Sequence, residues 1–317
     1  MAEKKALLFI NGKRREALAL GEEIRSELES RAYGVDFFSF ENKAELPGAV
    51  GYDISFTLGG DGTVLYASRI MAPQETPVLP VNLGTLGFIA AVIPNKWKET
   101  FENWEKGRVP LSRRLMLETA VERKGETLFR SFCLNDTVIS ASGIAKLIRL
   151  EVEAETAGGD LLSLGPFRAD GLIVATPTGS TGYSVAAGGP IIDPEMEAVI
   201  INPICPFTLS NRPIVVPADG KVLVLVEREQ RSAVLLTVDG QLTLFLEPED
   251  RVVIRRAPFA LCLIASGREI FYQALCSKLA WSGGSPHVPC AGGTGGCAPA
   301  AETQPVFPLF YPGGRYA

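Results

Sequence analysis

Two hydrophobic rhythms divide this chain, and the change between them near residue 112 limits its fold more than any other feature. Before it, strands and helices alternate. Ala6–Ile10, Val35–Phe40, Ile54–Leu58 and Val78–Val81 read as strands, and residues 14–30 carry Ala17, Leu20, Ile24 and Leu28 at helical spacing. Residues 63–71 read as helix, as does Pro94–Gly107, with proline at its start and glycine at its end. Such alternation predicts a parallel sheet with helices on its faces. Beyond residue 112 the runs Leu115–Arg123, Leu128–Ile139, Leu147–Glu155, Gly171–Thr176, Val222–Val226, Ala233–Val238, Leu242–Leu246, Val252–Arg255 and Leu261–Ala265 all read as strands. Turn signals between them predict a sandwich-like β domain, interrupted by one helix starting near Ser180.

The expected organisation is therefore an α/β domain over 1–112 and a β-rich domain over 113–265. A helix within 266–281, with Ile270, Phe271, Ala274, Leu275 and Leu279 on one face, is expected to pack back on the first domain. Residues 282–317 hold eight glycines, six prolines and only two charged side chains, Glu302 and Arg315, a composition expected to stay disordered. Phe307, Leu309, Phe310 and Tyr311 within it form a candidate docking patch.

With 317 residues, 46% of them hydrophobic and 21% charged, the chain suits about two globular domains. A net charge of −5 disfavours a wholly basic nucleic-acid binder. No run reaches the ~18 apolar residues of a membrane span, and Met1-Ala2-Glu3-Lys4-Lys5 leads into a strand rather than a signal-peptide core. A soluble cytoplasmic protein is the expectation. The single histidine, His287, sits in the tail, which excludes a Ser-His-Asp triad, a Cys-His pair and an HExxH site from the main body. The six cysteines form no CxxC and read as free thiols.

Four segments carry candidate chemistry. Gly59-Gly60-Asp61-Gly62-Thr63 follows a strand, where α/β proteins bind ligands and glycines let backbone N–H groups approach phosphate. Asp61 there suits either of two tasks, taking a proton from a substrate hydroxyl or helping to hold Mg²⁺ beside a phosphate. No GxxxxGK[ST] occurs, and the GxGxxG begun at Gly60 fails at Leu65. Asn82-Leu83-Gly84-Thr85-Leu86-Gly87-Phe88 is a second strand-end loop, expected beside the first; Gly59, Gly60, Gly62, Thr63, Asn82, Gly84 and Gly87 are the phosphate-facing candidates of the two loops. In the third, Asp170 to Ser184, hydroxyls crowd a helix start, suiting phosphate or ribose oxygens, or simple capping by Ser180 or Thr181. In the fourth, Asn135 and Asp136 are adjacent polar residues in an apolar strand; they should point to opposite faces, so at least one needs a partner or ligand.

GGDGT, NLGTLGF, ND and DGLIVATPTGSTGYS, in this order and spacing, closely resemble the bacterial-type NAD kinase family, as do Asn211-Arg212-Pro213 and Asp239-Gly240-Gln241. The likeness covers roughly residues 5–281. It implies an α/β domain followed by a β-rich domain, and transfer of the terminal phosphoryl group of ATP, with Mg²⁺ arriving on ATP and no fixed metal site, to the 2′-hydroxyl of the adenosine ribose of NAD. By the same resemblance Asp61 is the proton acceptor, with Gly62 beside it, and Asn135, Asp136, Arg168, Asp170, Thr178, Thr181, Gly182, Tyr183, Ser184, Val185, Ala186 and Gln241 bind NAD. It further implies a homodimer or homotetramer with small-molecule partners only, neither nucleic acid nor membrane. Two residues depart from the family pattern: Gly182 stands where alanine is common, which should loosen contact there, and Phe207 where histidine is frequent, which removes a side-chain hydrogen bond. A lipid kinase sharing the GGDG loop and a non-catalytic NAD(P)-binding regulator are the rival readings.

Overall fold

The computed structural model describes residues 4–12, 14–40, 51–84, 87–143, 146–156, 158–208 and 210–279. The tail, with His287, Cys290 and Cys297, lies outside them, as do Thr85, Leu86 and Leu209. The N-terminal part runs β1 (Lys4–Asn11), α1 (Arg15–Ser30), β2 (Tyr33–Phe40), β3 (Ile54–Gly59), α2 (Asp61–Met71), β4 (Val78–Asn82) and α3 (Trp97–Glu105). Its strands are parallel in the order β2-β1-β3-β4. The period-2 rule explains why β1 is apolar from Ala6 to Ile10. Ala6, Leu8 and Ile10 join the core beneath α1 with Ile24 and Leu28, while Leu7 and Phe9 join the core beneath α2 with Val64 and Leu65. The Phe101 ring of α3 is fully buried, 5.7 Å from the Phe56 ring, a burial that stabilises by about 3 kcal/mol.

The rest is β-rich: β5 (Leu111–Arg123), β6 (Glu126–Cys133), β7 (Asp136–Ala141), β8 (Ile148–Glu155), β9 (Leu161–Ala169), β10 (Gly171–Ala175), α4 (Tyr183–Ala186), β11 (Ala198–Ile204), β12 (Ile214–Pro217), β13 (Lys221–Val226), β14 (Val234–Val238), β15 (Leu242–Leu246), β16 (Arg251–Ile264) and α5 (Arg268–Leu279). A six-stranded sheet, β12-β11-β10-β7-β14-β15, packs its Ile139, Leu172, Val174 and Leu236 against Leu150, Val152, Val224 and Ile254 of the second sheet. Alternate residues Val138, Ile173 and Ala175 face the other way, beneath Ala187 and Ile192. The chain is thus an α/β unit joined to a β sandwich.

One strand welds the two. Long β16 pairs antiparallel with β5 and β13 in the sandwich, and its far end pairs in parallel with β4 at Leu263 and Val78. A ten-stranded mixed sheet therefore crosses the change of rhythm at residue 112. α5 then sets its buried Phe271 ring 6.1 Å from Phe88, while Arg268 and Tyr272 reach the Asp193 carboxylate at 3.0 and 3.2 Å. No helix among the described residues is long and apolar enough to cross a membrane.

Four expectations are corrected. The run Leu128–Ile139 is two strands in different sheets, because the backbone between Cys133 and Asp136 is drawn off the ladder by a carboxylate described below. Val252–Arg255 and Leu261–Ala265 are one strand whose register shifts between Arg256 and Ala260. Strands β9, β11 and β12 were not expected; β9 and β12 are sheet edges with exposed apolar residues, so neither shows clean alternation. The helix near Ser180 is a 3₁₀ turn, Thr178–Thr181, followed by the single turn of α4.

Candidate active site

β3 and β4 end side by side, Gly59 opposite Asn82, so their following loops share one rim of the parallel sheet. Leu83 donates its backbone N–H to the Gly59 carbonyl at 2.9 Å, and Asn82 accepts the Gly84 N–H at 2.9 Å. Gly60 precedes α2, and Asp61 is its first residue. The Asp61 carboxylate closes the second loop onto the first: Oδ2 accepts the Phe88 N–H at 3.1 Å, and Oδ1 accepts those of Ile89 and Ala90 at 3.2 and 2.8 Å. This arrangement explains two glycines. A Cβ on Gly87 would collide with Asp61 Oδ1, and one on Gly59 with buried Thr63. Gly62 is exposed.

A second carboxylate repeats the device in the other half of the molecule. Asp239 accepts the backbone N–H groups of Leu134, Asn135 and Asp136 at 3.1, 2.8 and 3.3 Å. It sits in the turn between β14 and β15, where Asp239 and Gly240 both have positive φ, +51° and +65°, the conformation that an Asp-Gly hairpin turn demands. Its side chain is wholly buried and 3.3 Å from Arg69 of α2. Arg69 also bonds the Gln241 side chain, whose Nε2 donates to the Gly62 carbonyl at 2.8 Å. Burial pushes the Asp239 carboxyl above its ordinary range, opposed by the three N–H groups and by Arg69. Burial, and then the charge of Asp239, push Asp136 up to about 7.

Asn135, Asp136, Val138, Ser140, Tyr183, Thr237, Asp239 and Gly240 line a cavity of about 390 Å³. Asn135 and Asp136 share it rather than facing opposite ways, since Asn135 lies in the link between β6 and β7 and not within a strand. The hydroxyl-rich segment is fastened to the same link. Thr176 N–H donates to the Asn135 carbonyl at 2.8 Å, and the Thr176 hydroxyl donates to the Leu134 carbonyl and accepts the Gly179 N–H at 3.0 Å. A Cβ at Gly182 would lie 3.2 Å from the Gly179 carbonyl, 3.4 Å from Asn135 Nδ2 and 3.8 Å from Asp136 Oδ2, so glycine leaves that gap open. Ser180 and Thr181 cap nothing: Ser180 bonds the Ile192 backbone, and the Thr181 hydroxyl donates to the Thr178 carbonyl. Ser184 is buried and receives Asn202 Nδ2 on its carbonyl and hydroxyl; Val185 is half-buried and Ala186 exposed. Asn135 Oδ1 and Thr178 Oγ1 are buried with no hydrogen-bond partner, a state that costs about 1–3 kcal/mol unless something fills it.

Not every candidate gathers here. β10 runs antiparallel to β7 with Ala175 opposite Asp136, so Asp170, just before β10, lies roughly 17 Å along the strand from Asp136. Exposed Arg168 belongs to that distant end, and its carbonyl accepts the N–H of Phe207, a ring 70% exposed. Two residues of the network were missed as site candidates. Asp239 reads as an ordinary turn residue. Arg69 had a usable signal: it is the sole cation in α2, set between buried Ser68 and Ile70.

Comparison with known proteins places these motifs. A model of the ATP-NAD kinase N-terminal domain matches residues 11–109, and one of the ATP-NAD kinase C-terminal domain matches residues 134–266. The NAD kinase of Treponema denticola is 38% identical over 283 residues, covering 89% of this chain and 98% of that one. The NAD kinase of Geobacter sulfurreducens is 40% identical over 229 residues, 72% of this chain and 78% of that one. Among solved structures, yeast NADH kinase complexed with NADH has the same fold, with a TM-score of 0.78 at 22% identity over 90% of each chain. An NAD kinase from Archaeoglobus fulgidus in complex with ATP aligns with a TM-score of 0.64 at 25% identity, over 85% of this chain and 96% of that one.

Proposed function

The chain belongs to the NAD kinase family, and from that premise we propose how its residues perform the reaction. It is an NAD kinase enzyme, with NAD and ATP as its substrates. The observation that carries the residue assignments is the meeting of two loops from two sheets. The Gly59–Thr63 segment and the Asn135–Asp136 link are tied through Arg69, Asp239 and Gln241, beside a cavity that Asn135 and Asp136 line. Asn135, Asp136 and Tyr183 at that cavity, with Gly182 next to Asn135 and Asp136, bind NAD, and Thr178 and Asn135 Oδ1 gain the partners they lack. Thr181, Ser184, Val185, Ala186 and Gln241 line or support the same site, and Arg168 and Asp170 take a more distant part of the ligand. Gly59, Gly60, Gly62, Thr63, Asn82, Gly84 and Gly87 form the ATP phosphate rim.

Asp61 is the proton acceptor. A carboxylate has about four lone-pair sites. Two on Oδ1 and one on Oδ2 are engaged by the three N–H groups, which among the described residues leaves one on Oδ2. As the ribose 2′-oxygen bonds to the terminal phosphorus and the bond to the leaving ADP oxygen breaks, the hydroxyl proton passes to that lone pair. A ribose hydroxyl is a very weak acid, so the transfer helps only as the new bond forms. Positioning and charge neutralisation supply most of the acceleration. Mg²⁺ would arrive with ATP and neutralise charge on its phosphates.

Asp61→Asn should lower NADP formation from NAD and MgATP at least ~100-fold while NAD still binds. Full activity in that variant would remove Asp61 as the base. The Asn135 amide and Asp136 carboxyl in the cavity wall suit a polar acceptor better than a lipid, whose apolar surface would leave them unpaired. The enzyme is proposed to work in the cytoplasm as a homodimer or homotetramer. The exposed apolar edges at Ile214 and Val215 of β12 and at Leu242 and Phe245 of β15 support that assembly, and light scattering should give two or four chain masses.

A further inference from the structure

We propose that Arg69, Asp239 and Gln241 form a latch that sets the register between the Asp61 loop and the Asn135–Asp136 link, making Arg69 a positioning residue for phosphoryl transfer. The proposal rests on the assignment of those two loops to the two substrates. α2 begins at Asp61, and Arg69 stands about 12 Å further along its axis. From there its guanidinium reaches both Asp239 and Gln241. Gln241 reaches back to the carbonyl of Gly62, the residue after Asp61, so the turn between β14 and β15 grips α2 at two points. The same turn grips the Asn135–Asp136 link twice: Asp239 takes its three N–H groups, and the Asp239 N–H donates to the Asp136 carbonyl at 2.9 Å.

No other contact described between α2 and this link is polar, and the latch spans more than 160 residues of sequence, so it is a property of the tertiary fold. Its Arg69–Asp239 core is buried, while Gln241 lies at the surface. Asp239 is wholly buried, the Arg69 side chain is 9% exposed, and the guanidinium lies 5.5 Å from the Tyr66 ring centre. Reacting groups must meet within a few tenths of an ångström, and a misplacement of about 1 Å can cost ~100-fold in rate. A helix carrying the base and a link holding the acceptor, on different sheets, need such a fixed joint.

The test compares Arg69→Met with Arg69→Lys, each alone and in an Asp61→Asn background, assayed well below the melting temperature of every variant. Arg69→Met should lower kcat at least ~10-fold with the KM for ATP within ~3-fold of wild type, and Arg69→Lys, which keeps a cation, should recover part of kcat. In the Asp61→Asn background, Arg69→Met should cost less than ~2-fold more, because a latch that aims a base has nothing left to aim. A lowered melting temperature with kcat and both KM values unchanged would overturn the latch and leave Arg69 a stability residue. Losses that simply multiply would overturn it as well. If Asp61→Asn alone were fully active, the base assignment would fall separately, and the kcat of Arg69→Met with Asp61 intact would still decide whether the joint positions the site.

Discussion

Two aspartates in this molecule do the same thing to the backbone and differ in almost everything else. Asp61 holds the N–H groups of Phe88, Ile89 and Ala90; Asp239 holds those of Leu134, Asn135 and Asp136. Asp61 is half-buried at a helix start with no cation described against it, whereas Asp239 has no exposed side-chain surface and is paired with Arg69. The first keeps one lone pair open for the proton transfer proposed above. The second uses its whole acceptor capacity inside the protein. A backbone-gathering carboxylate is thus a shared means of shaping a loop, and burial decides whether it can also do chemistry.

The sharpest attack on this contrast removes each charge in turn and measures unfolding by denaturant. Asp239→Asn should cost about 3–5 kcal/mol, because it strands Arg69 as a buried cation without its counter-charge. Asp61→Asn should cost only about 1 kcal/mol, the value of a weakened hydrogen bond at a site that water reaches. Equal losses would mean that burial does not separate the two. The activity losses should run the other way, with Asp61→Asn expected to fail in the chemical step while the fold persists.

A finer probe uses Asp136, which shares the buried environment of Asp239. Its carboxyl sits at about 7 in the folded protein against 3.8 for the free group. Between those values the folded chain holds a proton that the unfolded chain has lost. This group's contribution to stability therefore falls as pH rises from about 4 to about 7, by up to about 4 kcal/mol at 1.4 kcal/mol per pH unit. Asp136→Asn should flatten that slope in unfolding free energy measured from pH 4 to pH 8. An unchanged slope would show that Asp136 is not the acid that burial, and then the charge of Asp239, make it.

Much of this was legible in the sequence, for identifiable reasons. The parallel sheet and its helices follow from local periodicity, because the stretch of a strand covered on both faces must be continuously apolar, as Ala6–Ile10 of β1 is. The Gly59–Thr63 segment and the Asn82–Phe88 loop follow strand ends as expected, although α2 begins at Asp61 rather than at residue 63, because glycine punctuation acts within a few residues. The need for glycine at position 87 was not legible, since the atom it must clear belongs to Asp61, far back in the chain.

The sequence by itself determined the two halves, the order of the motifs and the family to which they belong, because these rest on neighbouring residues and on pattern. Only the tertiary structure decided that β6 and β7 part into different sheets, that Asn135 and Asp136 share one cavity, and that Asp170 stands away from them. It alone brought Arg69 to Asp239, and β16 to both β4 and β5. The physical reason is range. Hydrophobic periodicity is written residue by residue, whereas a buried carboxylate chooses its cation and its three N–H donors from whatever the folded chain brings within 3 Å or so of it.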